Sequence, residues 1–172
     1  MFFIIKLLIC DVDGTLTDGS IIYNDNSAEL KSFSVKDGLI LKLMPQLGIP
    51  VIFLTGRESS IVKRRAEELG ALAIQGIDDK PSVIRNIQSE RNLSAVECAY
   101  IGDDLNDYAA MMLCGYRACP NDAVREIREI CNHVSPFNGG HGAGRDICER
   151  ILDYEDKYAE FLVVAGLIKQ PR

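Results

Sequence analysis

The chain has 172 residues, 47% of them hydrophobic, and its 19 basic and 25 acidic residues leave a formal net charge of −6. That length suits one domain with a proper core, 1–172, and is too short for two generous ones. The acidic balance disfavours DNA or RNA as the main partner, because phosphate backbones are gripped by clustered Lys and Arg, although a small anion could still be bound locally.

Cys10, Cys98, Cys114, Cys119, Cys131 and Cys148 are scattered with no C-x-x-C pair. This implies reduced, buried thiols in a cytoplasm rather than a zinc site or a disulfide frame. The apolar run over 1–10 is interrupted by Lys6 and has neither a preceding basic segment nor a small-residue cleavage site, so it reads as a first strand over 2–9 and not as a leader. No apolar stretch approaches the roughly 20 residues that a membrane span needs, so no membrane partner is expected.

After that strand, Asp18-Gly19 signals a turn, and two runs over 20–23 and 29–35 flank the polar break 24–27, which predicts a hairpin over about 20–35. Ile40, Leu43, Met44 and Leu47 recur at helical spacing until Gly48-Ile49-Pro50, with Pro45 threatening the continuity of that helix. The apolar run 51–54 is a strand ending in Thr55-Gly56-Arg57, followed by a charged amphipathic helix over 59–69 closed by Gly70. A weak strand over 72–74 leads to a helix over 79–91 that opens with Lys80-Pro81. A strand over 98–101 stops at Gly102-Asp103-Asp104-Leu105-Asn106-Asp107. Beyond it the pattern predicts helix 109–113, strand 116–119, helix 122–130 and a short strand 133–135. The glycine-dense stretch 138–145 reads as a flexible loop before a helix over 146–152. A last helix over 154–167 and a frayed end over 170–172 complete a tail spanning about 138–172. Such alternation indicates an α/β, Rossmann-like fold: a mostly parallel sheet flanked by helices, with one small hairpin.

The chemistry-bearing residues sit where predicted strands end. Asp11 and Asp13 follow the first strand, Thr55 and Arg57 the second long one, Lys80 opens its helix, and Asp103, Asp104 and Asp107 follow the fourth. Carboxyl ends of strands in a doubly wound sheet converge on one crevice. Carboxylates gathered there repel one another unless a cation neutralises them, and this number of hard oxygen ligands suggests Mg²⁺. Thr55 and Lys80 then offer a hydroxyl and an ammonium to an anion. Singly, each acidic pair would more often be a turn or a helix cap, and Lys80 a solvated lysine.

In order and spacing, Asp11-Val12-Asp13-Gly14-Thr15, Thr55, Lys80 and Gly102-Asp103-Asp104-x-x-Asp107 resemble the four signature motifs of the haloacid-dehalogenase superfamily. The resemblance implies a phosphatase working through an aspartyl-phosphate. Asp11 would attack phosphorus, and Asp13 would act as general acid and then as base. Thr55 and Lys80 would bind phosphoryl oxygens. Asp11, the backbone carbonyl of Asp13 and Asp103 would hold Mg²⁺, while Asp104 or Asp107 would support the metal's waters and Lys80.

The intervals between motifs leave no room for a cap domain, so subunit contacts are expected to close the site. This uncapped pattern is similar to the tetrameric phosphatases of 3-deoxy-D-manno-octulosonate 8-phosphate, in which a neighbour's hairpin and tail complete the site; lipopolysaccharide synthesis is the pathway they suggest. Thr17-Asp18-Gly19, Phe33-x-Val35-x-Asp37-Gly38, Thr55-Gly56-Arg57-x-Ser59, Arg65 and Gly139-Gly140-x-Gly142-Ala143-x-Arg145 carry that likeness. Gly144, in place of a larger apolar residue, and Thr15, in place of a frequent valine, depart from it. The expected partners are thus a small phosphorylated sugar acid and three further copies of the chain.

Asp18, Arg57 and Arg65 are the candidate substrate contacts, with arginine favoured for bidentate binding of a carboxylate. Lys63 could pair with the carboxylate too; the alternative is that Lys63, Arg64 and Arg65 form a solvated helix face beside Glu67 and Glu68, and His141 reads as a solvent-facing turn residue rather than a base. A nine-carbon keto-deoxy acid 9-phosphate is the rival substrate, although that branch is expected to carry Glu where Arg57 stands. A response-regulator receiver fits less well, since its phosphorylated Asp follows the third strand. A non-catalytic partner of a sugar-acid cytidylyltransferase is opposed by the intact Asp11 and Asp13.

Overall fold

The computed structural model describes residues 4–26 and 29–167. Phe2 and Phe3 of the expected first strand, Ser27 of the polar break and the expected frayed end over 170–172 lie outside the described residues. In chain order the elements are β1 (Leu7–Cys10), a hairpin of β2 (Ile22–Tyr23) and β3 (Glu29–Leu30), α1 (Val35–Leu43), β4 (Val51–Leu54), α2 (Ser60–Leu69), β5 (Leu72–Ile74) and α3 (Lys80–Arg91). They continue with β6 (Cys98–Ile101), α4 (Leu105–Met111), β7 (Tyr116–Cys119), α5 (Arg125–Ile130), β8 (His133–Val134), α6 (Ala143–Tyr154) and α7 (Tyr158–Val164).

Among the described residues the main sheet has six strands in the order β5-β4-β1-β6-β7-β8, every neighbouring pair parallel, and β2 pairs only with β3. β1 lies at the centre, and the chain builds outwards on one side of it before crossing to β6 on the other. That reversal of direction opens the crevice at the carboxyl ends. Side chains alternate between the two faces with a period of two. Leu8, Cys10, Val51, Phe53, Ala99 and Ile101 join the core under α1, α2 and α6. Leu7, Ile9, Ile52, Leu54, Cys98 and Tyr100 join the core that includes Ile84 and Ile87 of α3 and Met111 of α4. Covered on both faces, β1 must be apolar throughout, which explains its unbroken Leu-Leu-Ile-Cys.

The expected strands at 51–54, 72–74, 98–101 and 116–119 lie where the pattern put them, while several helix limits move for local reasons. α1 begins at Val35, inside the expected second hairpin run, because the Ser34 hydroxyl accepts the Asp37 N–H at 3.2 Å and caps the helix. Pro45 does end that helix, which continues only as a tight 3₁₀ turn over Met44–Leu47. α4 starts four residues early at Leu105, since Asp104 caps it by accepting the Leu105 N–H at 2.7 Å. α5 is limited to Arg125–Ile130 and follows Pro120 and its turn. α6 starts at Ala143, within the glycine-dense stretch, and the predicted final helix shrinks to Tyr158–Val164 because Asp156 adopts a left-handed φ of 54° between α6 and α7.

Candidate active site

The parallel register sets Cys10 beside Phe53 of β4 and Ile101 of β6, so the residues that follow all three strands emerge side by side. Asp11, Thr55 and Gly102 directly follow β1, β4 and β6, and all of Asp11, Thr55, Lys80 and Asp107 are buried. The tight loop after Asp11 depends on Gly14, which has φ 94°. A Cβ there would lie 2.1 Å from Asp103 Oδ2, so only glycine lets the two acidic loops approach. The loop is braced within itself: the Leu16 N–H donates to Val12 O at 2.9 Å and the Gly14 N–H to Thr17 Oγ1 at 3.3 Å.

At the centre, Lys80 Nζ donates to Asp11 Oδ1 at 2.5 Å and to Asp107 Oδ1 at 2.7 Å. Asp107 also accepts the Tyr100 hydroxyl at 2.8 Å and the Asp103 N–H at 3.1 Å. Thr15 Oγ1 donates to Asp103 Oδ1 at 2.8 Å. Asp13 Oδ2 accepts from Thr55 Oγ1 at 3.4 Å, and Asp13 Oδ1 contacts the Lys31 ammonium, which comes from the segment just after β3.

Burial, reinforced by the Asp107 carboxylate, pushes Asp11 well above the usual carboxylate range. Burial likewise pushes Asp103 up to about 7, against the lowering hydrogen bond from Thr15. For Lys80, burial pulls the ammonium down, and Asp11 and Asp107 more than reverse it, leaving Lys80 raised. Lys80 therefore stays charged while Asp11 and Asp103 resist ionisation. That imbalance is what a further cation relieves. Oxygens of Asp11, Asp103 and Asp107 lie within 4.8 Å of one another, an all-oxygen set suited to a hard divalent ion such as magnesium.

Each residue singled out by the sequence has a definite place. Asp11, Asp13, Thr55, Lys80, Asp103 and Asp107 meet in the crevice. Asp104 is exposed: it caps α4 and lines a cavity of about 370 Å³ together with Asp13, Asp18, Asp103 and Asp122. Arg57 is exposed at the rim, its guanidinium 2.9 Å from Glu29 Oε1 and its backbone N–H donating to Thr55 Oγ1 at 3.2 Å. Arg65 stands apart. It stacks over Phe33 at 5.8 Å and lines a separate cavity of about 500 Å³ with Ser60, Ile61 and Arg64, which contains none of the strand-end carboxylates. Lys63 is exposed, and His141 turns its ring back onto Gly139 O at 2.8 Å.

The glycine-dense stretch is packed against the site rather than standing as an open loop. A Cβ on Gly139 would fall 1.8 Å from Gly14 O, and one on Gly140 would fall 2.7 Å from Thr17 C. Asp37 of α1 accepts the Arg145 N–H at 2.8 Å, satisfying one of the orphan donors at the start of α6.

Thr15, Tyr100, Lys31 and Asp122 are site neighbours that the sequence reading did not select. Period-two alternation from Glu29 puts Glu29 and Lys31 on one side and Leu30 on the other, but nothing local ties that side to Asp13.

Residues 73–145 match the model of the haloacid dehalogenase-like hydrolase family. The 3-deoxy-D-manno-octulosonate 8-phosphate phosphatase KdsC of Haemophilus influenzae is 37% identical over 166 residues, covering 96% of this chain and 92% of that protein. The chain belongs to the 3-deoxy-D-manno-octulosonate 8-phosphate phosphatase family of haloacid dehalogenase-like hydrolases. A crystal structure of that phosphatase from Moraxella catarrhalis, in complex with magnesium, phosphate and KDO, superposes with a TM-score of 0.89 at 40% identity, covering 93% of this chain and 92% of that one. The cobalt-bound form of the Haemophilus influenzae phosphatase also gives a TM-score of 0.89, at 36% identity, covering 96% and 98%. These two structures thus share the overall fold of this chain.

Proposed function

We propose that the chain is a Mg²⁺-dependent phosphatase of a phosphorylated 2-keto-3-deoxy sugar acid, most specifically 3-deoxy-D-manno-octulosonate 8-phosphate, acting through an aspartyl-phosphate on Asp11. One observation carries the proposal: three carboxylates and a buried lysine converge at the ends of β1 and β6, in a chain whose relatives bear that phosphatase name.

Asp11, the backbone carbonyl of Asp13 and Asp103 would hold the magnesium, with Asp107 beside them. When bound, the ion supplies charge neutralisation and polarises the phosphoryl group. Asp11 attacks phosphorus while the bond to the leaving sugar oxygen breaks, and Asp13 delivers a proton to that oxygen. Asp13 then takes a proton from the incoming water as the Asp11–phosphorus bond is cleaved and inorganic phosphate departs. Lys80 orients Asp11 and favours its ionised form against the burial that opposes it, and Thr55 turns its hydroxyl from Asp13 to a phosphoryl oxygen. Asp104 stays at the rim of the crevice. Asp18, Arg57 and Arg65 remain the candidates for the sugar acid, Arg65 only from another copy or after rearrangement, given its separate cavity.

We read 1–172 as one hydrolase domain without a cap, working in the cytoplasm as a homotetramer. Two features support assembly: the crevice is open, and Ile21, Ile22, Tyr23 and Leu30 of the hairpin expose apolar side chains. Among the described residues no helix is long and apolar enough to cross a membrane.

A phosphate-release screen over eight- and nine-carbon keto-deoxy acid phosphates, with Mg²⁺ or EDTA, tests the proposal. Turnover of the eight-carbon substrate that EDTA abolishes is the expected result. Preference for the nine-carbon acid would transfer the assignment to that substrate, and wild-type rates in Asp11→Asn would end the aspartyl-phosphate mechanism.

A further inference from the structure

Lys31 has an unusual position for a lysine next to a surface hairpin: its side chain is only 1% exposed. A buried ammonium is costly unless anions surround it. Here it contacts Asp13 Oδ1 and lies 3.2 Å from Glu29 Oε1. The same Glu29 oxygen accepts the Arg57 guanidinium at 2.9 Å, the Arg57 N–H donates to Thr55 Oγ1 at 3.2 Å, and Thr55 Oγ1 donates to Asp13 Oδ2 at 3.4 Å. The contacts close into a ring, Asp13–Lys31–Glu29–Arg57–Thr55, which joins the β1 loop, the hairpin and the β4 loop.

Resting on the phosphatase function proposed above, we infer that Lys31 is a positioning residue that fixes the carboxyl plane of Asp13 for proton transfer to the leaving oxygen. Both Asp13 oxygens are occupied in the ring. Once Thr55 turns to a phosphoryl oxygen, Oδ2 is released towards the leaving group, and Lys31 retains Oδ1. Glu29 holds the Lys31 ammonium from the other side, at 3.2 Å, which fixes the direction from which it meets Asp13. Orientation of an acid or base by a further group is a general requirement of such catalysis. The hairpin thereby supplies a part of the chemistry as well as a surface for assembly.

The demand for an acid depends on the leaving group. A sugar alkoxide must be protonated as it departs, whereas p-nitrophenolate leaves as a stable anion. In the holoenzyme with saturating Mg²⁺, kcat/KM reports the steps up to phosphorylation of Asp11, so it isolates the role of Asp13 as acid. Lys31→Met is expected to lower kcat/KM for the sugar acid phosphate by about 10- to 100-fold and for p-nitrophenyl phosphate by less than about threefold, with Lys31→Arg recovering most of the loss. If Lys31→Met loses its near-ultraviolet circular dichroism, Lys31→Gln takes its place with the same substrates. Equal losses on both substrates, no loss on either, or a rise in KM alone would overturn the inference. A wild-type enzyme that hydrolyses no alkyl phosphate at all would remove the phosphatase reading itself and this inference with it, an outcome distinct from active wild-type enzyme without a leaving-group effect in the variant.

Discussion

Lys80 Nζ lies 2.5 Å from Asp11 Oδ1, with the two side chains 2% and 6% exposed, so the proposed nucleophile is held by a cation as buried as itself. Lys80 also serves Asp107, and removing it strands two carboxylates in the interior. Lys80→Met is therefore expected to destabilise the metal-free protein by about 3–5 kcal/mol in urea unfolding. Phosphate release should fall by about 100-fold or more. Unchanged stability would show that the pair is not a real feature of the folded chain.

The acidic cluster makes the metal-free protein pH-sensitive in a defined direction. Burial raises Asp103 to about 7, opposed by the Thr15 hydrogen bond, and raises Asp11 as well. Between the unfolded value of 3.8 and about 7 the folded state binds more protons than the unfolded chain. The contribution of this site to stability is thus complete below the unfolded value and disappears as the pH rises through about 7. Melting in EDTA should show a lower midpoint at about pH 7.5 than the site would allow at about pH 5, and Mg²⁺ should restore more at the higher pH, where protons no longer compete for the ligands. A metal effect that grew on acidification would contradict this assignment.

Thr15 offers an isosteric test. Its hydroxyl donates to Asp103 Oδ1 at 2.8 Å and holds that carboxylate in place. Thr15→Val keeps the shape and removes the donor, and should weaken Mg²⁺ activation of phosphate release by about tenfold with the fold intact. An unchanged Mg²⁺ dependence would mean that the carboxylate is oriented by other groups.

The glycine pair at 139 and 140 predicts an effect reaching from the tail segment into the crevice. Gly139→Ala would force a methyl group to 1.8 Å from Gly14 O, so the Asp11–Thr17 loop has to move. Loss of about 1–3 kcal/mol and a larger fall in kcat than in stability are expected, read by thermal melts and phosphate release on the same sample. Gly70→Ala is a suitable contrast: its added Cβ meets no atom within 4 Å, although its φ of 69° still disfavours alanine.

The strands at 51–54 and 98–101 were legible because buried central strands must be continuously apolar, while 116–119 showed through its flanking apolar residues although Arg117 interrupts it. Helix beginnings were less visible because they depend on caps. Asp104 looked like a candidate for the chemistry, and it is the residue that starts α4. Asp107, one turn later, is the member that reaches Lys80 and Tyr100. The start of α6 could not be read locally at all, since its donor is satisfied by Asp37, 108 positions earlier. Lys31 was overlooked for a related reason: its importance comes from long-range burial against Asp13, and nothing in its immediate neighbours distinguishes it from an ordinary surface lysine.

The central placement of β1 has a further consequence. Its ladders to β4 and β6 fix, through backbone bonds alone, how far apart Asp11, Thr55 and Asp103 can stand. That spacing is set without help from the hairpin or the tail, so a change in either reaches the crevice through its own contact, Lys31 with Asp13 or Gly139 with Gly14, while the sheet keeps the three strand ends in register.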